Sequence, residues 1–529
     1  MGVTAPQILA IDLGTSGMKA ALVAADGTVT GWAERAVPLH VLPGGGAEQD
    51  PLAWWDALGE AVADLGRAHP DHLRAVTTVC SSTQGEGTIA VDAHGAPLTR
   101  CITWLDMRGA PHLRKQFGGT PSVGGMSARR VARWLRLTGG VPSTTGKDPA
   151  AHMLLVRDEM PEVYERTATF LNVLDWINLK LTGRTVATVD SILTSWVTDN
   201  RRPGDIRYAP ALVADCGIDA GKLPPIVACT EVIGTLSPSA AAHLGLPPSV
   251  QVVAGAIDNT AAAVGAGTVG DNEPHLYLGT SSWIAAHVPR KKTDVRAQIA
   301  ALPCAVPGRY LMTALQATAG ANLTWLRDKV VEWDDPLVGA GHISRDEGSI
   351  FDAFDKILPT VPPGANGVLY TPWLYGERAP VDDPNLRAGF FNISLDTSRS
   401  DLLRAVFEGV ALNTRWLAKA VDRFLGTPVT SMVITGGGAR SDSWCQIFAD
   451  VLGIEMRRDA RPVAVNARGA GWIGAVGAGM ISYADIPGLM RNDHVFEPGT
   501  AAHATYDEIF AVYQDLHKRL APIYRRLNR

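Results

Sequence analysis

The chain of 529 residues holds only six cysteines, and no two of them form a CxxC pair. That scatter excludes a zinc framework and a disulfide-stapled secreted fold, and it fits a reducing cytoplasm. An excess of one charge is also missing: 48 Lys and Arg stand against 53 Asp and Glu, a net charge of -5 with no basic or acidic blocks. Nucleic acid is therefore a poor principal ligand. Low-complexity segments are absent, and the N-terminus MGVTAPQILAIDLG has no basic stretch before a cleavable apolar run. Pro6 stands where a myristoylation pattern requires Ser or Thr. Neither export nor a lipid anchor is expected.

What is present is the composition of a soluble globular protein, 46% hydrophobic and 19% charged, at a length that calls for two or more domains. One apolar run stands out, VVAGAIDNTAAAVGAGTV at 252–269, interrupted by a single charge at Asp258. Its Ala, Gly and Thr content makes poor lipid-facing material, so a membrane span is set aside. Two readings of Asp258 remain, a helix cap or an acid/base at a strand-to-helix junction.

Residues 8–16, ILAIDLGTS, predict an apolar strand ending in Asp12, Gly14, Thr15 and Ser16, with Gly17 as a turn residue and MKAALVAADG returning to a hairpin turn at Asp26-Gly27. No GxxxxGK[ST] occurs, which removes the P-loop reading. Half the chain later LYLGTSSWIAAHV repeats the device around Gly279, Thr280 and Ser281. Two Gly-Thr-Ser turns facing each other could clasp a triphosphate from both sides, through N–H groups and hydroxyls. A third site, MVITGGGARSDSWCQIFAD, predicts a buried strand broken at Gly436-Gly437-Gly438 and continuing as a helix. Gly265, Gly267 and Gly270 satisfy GxGxxG, yet they close the Ala-rich segment and run into DNEP instead of opening a helix, which argues against a dinucleotide fingerprint.

Taken with AEQDPLAWWDAL and TPWLYGERAPVDDP, these blocks make the chain resemble the FGGY family of carbohydrate kinases, and within it the xylulokinase group, from Ile8 to a C-terminal helix ending near Leu527. The resemblance implies an α/β fold of two ribonuclease-H-like domains, as in actin and Hsp70, with ATP and sugar in the cleft between. It places the boundary near 250–257, with an N-terminal domain of 1–255 carrying the sugar site and a C-terminal domain of 256–529 carrying adenosine. It further implies Asp258 as catalytic base, ionised at pH 7, at a helix beginning at Asn259. Asp12 would hold Mg²⁺. Gly14, Thr15, Ser16 and, as a lesser candidate, Lys19 would meet phosphate from one side, and Gly279, Thr280 and Ser281 from the other. Gly436, Gly437, Gly438 and Ala439 would take the adenosine, with Gln446 and Arg440 as further candidates.

For the sugar, the resemblance implies Gln84, Gly85, Glu86, Trp104, Asp106, Asp258 and Asn259. Here the chain departs from xylulokinases, where a Met-His pair stands in place of Gly85-Glu86, and the change puts D-xylulose in question. Trp104 and the Asp106–Arg108 pair read equally well as structural. His152 replaces a Lys of the family and reads as a helix-surface or packing residue, while Asn392 replaces a Gly and should tolerate a left-handed backbone. Glu377 and Arg378 are expected to form a structural ion pair. The function expected is ATP-dependent phosphorylation of a small ketose or polyol in the cytoplasm; ribulose, a tetrulose or glycerol are alternative substrates, and a non-catalytic sensor is the alternative role. The partners expected are a small sugar or polyol, neither nucleic acid nor membrane, with room for a homodimer.

Overall fold

The computed structural model describes residues 5–331 and 347–528. Its first sheet is built from β1 (Gln7–Leu13), β2 (Gly17–Ala24), β3 (Val29–Ala36), β4 (Val76–Thr83), β5 (Val232–Thr235) and β6 (Gln251–Ile257), in the order β5-β6-β4-β1-β2-β3. β1 is buried along its whole length, which is why QILAIDL reads as one apolar run instead of alternating. β1, β2 and β3 form an antiparallel meander, whereas β4 and β6 run parallel to β1.

The second sheet repeats this plan. It holds β7 (His275–Leu278), β8 (Ser282–Val288), β9 (Thr293–Asp294), β10 (Ile299–Pro303), β11 (Tyr310–Gln316), β12 (Ser431–Thr435), β13 (Glu455–Asp459) and β14 (Asn492–Phe496), in the order β9-β10-β11-β8-β7-β12-β13-β14. β11, β8 and β7 are antiparallel, and β12 and β13 continue in parallel from β7. Each sheet therefore contains the strand order 3-2-1-4-5. The two LGTS segments are the first hairpin of each copy. By the same correspondence the QGEG segment follows strand four of the first copy and the triple glycine follows strand four of the second.

The fifth strands lead into the two helices that join the halves. α1 (Asp258–Gly265) follows β6, and α2 (Val465–Gly477) follows β13. Although α2 comes from the second half of the chain, it packs on β1, β4 and β6 of the first sheet. One core of mostly small side chains runs through this junction, joining Cys80 and Val253 of the first sheet, Ala285 and Leu311 of the second, and Ala262, Ala263 and Ile473 of the helices. Where the helices cross, Gly265 faces the Val465 carbonyl and Gly469 faces the Ala261 carbonyl, and a Cβ on either glycine would stand 1.9 Å from that oxygen. The small residues after Asp258 are thus explained by two backbones in direct contact. The C-terminal helix spans Thr500–Leu527.

Candidate active site

The first Gly-Thr-Ser turn is closed by the N–H of Gly14 donating to the Gly17 carbonyl at 2.9 Å. Asp12, at the buried end of β1, accepts from Lys19 Nζ at 3.2 Å, and this neighbouring carboxylate is the main reason the Lys19 pKa is raised. Asn466, near the start of α2, places its Nδ2 3.5 Å from the other Asp12 oxygen, and its own Oδ1 is buried without a partner. The Thr15 hydroxyl gives its proton to Gln84 Oε1 at 3.0 Å and accepts from Trp104 Nε1 at 3.0 Å. Gln84 Nε2 in turn donates to Gln49 Oε1, and Gln49 Nε2 donates to the Thr15 carbonyl. Thr15 therefore has no hydroxyl proton left for a phosphate. Exposed Ser16 and the main-chain N–H groups of the turn remain.

The second turn is the more open. The N–H of Gly279 donates to the Ser281 carbonyl at 2.9 Å, and the Gly279 and Thr280 carbonyls are held by the N–H groups of Gly320 and Ala319. Thr280 is exposed and Ser281 half-buried. The triple glycine lies directly against this turn. Gly436, at φ +87°, would bring a Cβ to 2.7 Å from the Leu278 carbonyl, and Gly438 would drive one into the Leu278 side chain, so both positions exclude side chains. Gly437 faces open space. After it the chain makes a 3-10 turn over Gly437–Arg440 before the helix Asp442–Leu452, instead of entering the helix at once, and Ala439 is buried in that turn. Gln446 is engaged by Asp450 and the Glu497 carbonyl.

Asp258 lies among groups distant from it in sequence, Asp12, Lys19 and Glu86. The helix begins at Asp258 itself, one residue earlier than expected, and its Oδ1 accepts from the N–H of Asn259 at 2.7 Å. Among the described residues it forms no ion pair. Burial pushes its pKa up to about 7, reinforced by the Asp12 and Glu86 carboxylates and opposed by the Asn259 N–H and by Lys19. The expectation of a carboxylate ionised at pH 7 is thus corrected: burial and like charges outweigh the helix N-terminus. The strand end is pinned from beneath by Asp190, a buried carboxylate that accepts from the N–H of Ile257 at 3.0 Å, Thr188 Oγ1 at 2.6 Å and Cys229 Sγ at 3.4 Å.

Asp190→Ala would leave the Ile257 N–H without its partner and loosen the residue before Asp258. A shift of about 1 Å at a reacting group costs about 10²-fold. We expect kcat to fall by about that factor with the KM for ATP unchanged, and Asp190→Asn, which keeps an acceptor oxygen, to recover part of it.

The sugar end is formed by the segment after β4. Gly85 lies against Ile257, 3.6 Å from a would-be Cβ to Cδ1, which puts this loop beside the base. Glu86 follows at φ +62°, an uncommon backbone state for a residue with a side chain. Trp104 joins this wall through Thr15. The Asp106 carboxylate is fully buried and engaged by the Ala47 N–H, the Arg108 N–H and the Arg108 guanidinium, which also reaches Glu48. His152 is not on a helix surface but completely buried, its ring nitrogens against Thr88 Oγ1 and the Asp106 carbonyl, and burial lowers its pKa to about 4. Glu377 and Arg378 also differ from expectation. The Glu377 carboxylate binds the N–H groups of Ala317 and Arg378 and the Asn413 amide, not the Arg378 guanidinium. Asn392 adopts the left-handed backbone at φ +63° and donates to the Gly367 carbonyl.

This duplicated, two-sheet scaffold with its paired turns is found in known proteins. Residues 7–265 match the N-terminal domain and residues 276–483 the C-terminal domain of the FGGY family of carbohydrate kinases. The chain belongs to the FGGY family of carbohydrate kinases. It is an ATP-dependent sugar kinase of xylulokinase-like type. The xylulose kinase of Staphylococcus epidermidis is 28% identical over 97% of this kinase and 96% of the relative. The gluconokinase of Bacillus licheniformis is 26% identical over 98% and 97% respectively. The xylulose kinase structure from Rhodospirillum rubrum superposes with a TM-score of 0.81 at 28% identity, covering 98% of this kinase and all of the other chain. No helix among the described residues of this kinase is long and apolar enough to cross a membrane.

Sequence reading alone missed Gln49, Asn466 and Asp190. Gln49 lay within the block AEQDPLAWWDAL, and Asn466 within the start of a glycine-rich helical run, VNARGAGW. Neither carries a local pattern that names its target, because each reaches the site from a distant part of the chain.

Proposed function

We propose that this kinase phosphorylates a hydroxyl of a small neutral ketose or polyol, with Asp258 as the base that receives the hydroxyl proton. The observation that carries this reading is the Asp258 carboxylate: unpaired, at the mouth of a strand pinned by Asp190, with a pKa pushed up to about 7. A base poised near the working pH matches its proton-accepting task.

Phosphoryl transfer needs positioning and charge stabilisation more than covalent help. The Gly14–Ser16 turn and Lys19 would approach the phosphates of ATP from the first half, and Gly279, Thr280 and Ser281 from the second. Gly436 and Gly438 let the loop pack directly on Leu278, and the open face at Gly437 leaves room for a flat ring system on the adenosine side. Asp258 takes the proton as the sugar oxygen bonds to the γ-phosphorus and the bond to ADP breaks. The residues also fit a magnesium ion. Asp12 supplies a hard carboxylate and Asn466 a buried amide oxygen with no partner, and such an ion is usually held by one or two carboxylates together with substrate phosphates. Bound there, Mg²⁺ would neutralise charge on the phosphates. Six buried, unpaired cysteines suit the reducing cytoplasm proposed for the protein.

The relatives include xylulose kinases and gluconokinases, one acting on a neutral ketose and the other on an aldonate, and a screen of acceptors decides between these classes. Glu86 in place of a family histidine favours hydroxyl-rich substrates, since a carboxylate only accepts hydrogen bonds. A screen of ADP release across pentuloses, tetruloses, glycerol and longer polyols, with and without Mg²⁺, tests the reading. It predicts acceptor-dependent ADP release that EDTA abolishes; ATP binding with no acceptor-dependent release would make the protein a non-catalytic sensor.

A further inference from the structure

Three charged side chains gather at the sugar end. Among the described residues the side chains of Glu86, Lys147 and Arg378 form no hydrogen bond or ion pair. Glu86 is half-buried in its left-handed loop between two glycines, and Gly87 is confined there by Val173 and Cys101. Lys147 is half-buried just before the helix Pro149–Glu159, its Nζ 6.0 Å from the centre of the Tyr375 ring. Tyr375 belongs to the same segment as Arg378, so Lys147 meets the second half of the molecule at this point. Arg378 is exposed, but its backbone is fixed by the N–H held at 2.8 Å on Glu377 Oε1. The three groups act on one another. Both cations offset the cost of burying Glu86, and Arg378 opposes the charge on Lys147.

We propose that Lys147 and Arg378 bind the acceptor: with Glu86 they hold the oxygens of a neutral, hydroxyl-rich chain, and the Glu86 carboxylate between them selects against an aldonate. Glu86 accepts from hydroxyls of the chain, and the two cations donate to its oxygens. A polyhydroxyl chain carries both donors and acceptors, so it satisfies all three groups together. An aldonate carboxylate would gain the two cations but enter the field of Glu86 and Asp258, whose carboxylates already oppose one another. A site built to hydrogen-bond hydroxyls discriminates strongly against a ligand that leaves its polar groups unpaired. Because Lys147 comes from the first half and Arg378 from the second, the bound chain also bridges the halves.

This inference rests on the kinase reading above, and its test separates the two. Steady-state kinetics would compare neutral ketoses and polyols with aldonates of equal length. For the wild type we expect kcat/KM to favour the best neutral acceptor by about 10-fold or more. Lys147→Ala and Arg378→Ala should each raise the acceptor KM about 10-fold with the KM for ATP within about twofold of wild type. Glu86→Gln should narrow the preference over the aldonate by about 10-fold. If an alanine variant fails to fold, Lys147→Met and Arg378→Lys carry the same expectation for KM. A wild type that turns over but prefers an aldonate, or variants whose acceptor KM is unchanged, would overturn the specificity role alone. A wild type with no acceptor-dependent ADP release would overturn the kinase reading and this role with it.

Discussion

Replacing Asp258 by Ala should lower the rate of sugar phosphorylation by about 10²–10⁴-fold, the range a positioned general base contributes, while ATP binding stays within about twofold of wild type. The reason is the isolation of this carboxylate. It holds no ion pair among the described residues, and its one hydrogen bond comes from the adjacent N–H of Asn259. Its removal therefore dismantles no ion pair, and the loss should appear in kcat while calorimetric ATP affinity persists. Fold stability should move the other way. The folded protein holds the Asp258 proton more tightly than an unfolded chain does, so ionisation between the ordinary carboxylate range and about pH 7 subtracts stability. Asp258→Asn should then melt at a higher temperature than wild type at pH 8, with the difference shrinking at pH 5. An Asp258→Ala protein that turns over sugar at more than about a tenth of the wild-type rate would remove the base assignment.

Gly265→Ala should be the most damaging single change outside the site. The added methyl would stand 1.9 Å from the Val465 carbonyl, a backbone atom that no rotamer change can move. The two crossing helices would have to separate, and these helices carry Asp258 and Asn466, both of which interact with Asp12. Overpacking of this kind costs about 3 kcal/mol or more when the neighbour cannot yield. We expect a fall in melting temperature by calorimetry together with a loss of activity larger than the unfolded fraction explains, because the spacing of the halves changes even in folded molecules. Gly437→Ala is the control. It meets nothing within 4 Å and should leave the melting temperature unchanged.

Much of this organisation was legible in the sequence, and the legible parts share a property. The two LGTS hairpins, the triple glycine and Asp258 are set by local rules: apolar runs that end at turn residues, and glycines where the backbone must pass close to something. Those rules hold within about ten residues, so the motifs stand where expected. The correspondence of the two sheets was visible as a repeated tetrapeptide, and the strand order 3-2-1-4-5 in each half explains the repeat. What sequence could not show was the partner each side chain finds across the fold. The Thr15 hydroxyl looks like a phosphate ligand in its tetrapeptide, but Gln84 and Trp104, from other segments, engage it. Asp106 and Glu377 look like cleft residues, yet both carboxylates are engaged inside the protein, Asp106 by main-chain N–H groups and Arg108, Glu377 by main-chain N–H groups and Asn413. The ionisation of Asp258 was misjudged for the same reason. Burial raises its pKa most, and Asp12 and Glu86, far away in sequence, add to it only once folding gathers the three carboxylates.

The pH dependence of kcat/KM for the best neutral acceptor tests the role of Asp258 most directly, because it reports the pKa of the free enzyme's base. A carboxylate with its pKa near 7 is the active base when deprotonated, so kcat/KM should rise tenfold per pH unit below about 7 and level off above it. Glu86→Gln removes one like charge and should move that limb to lower pH, and Asp258→Asn should abolish it along with most of the activity. A profile flat from about pH 5.5 to 8.5, or a limb that persists unchanged in Asp258→Asn, would contradict Asp258 as the base.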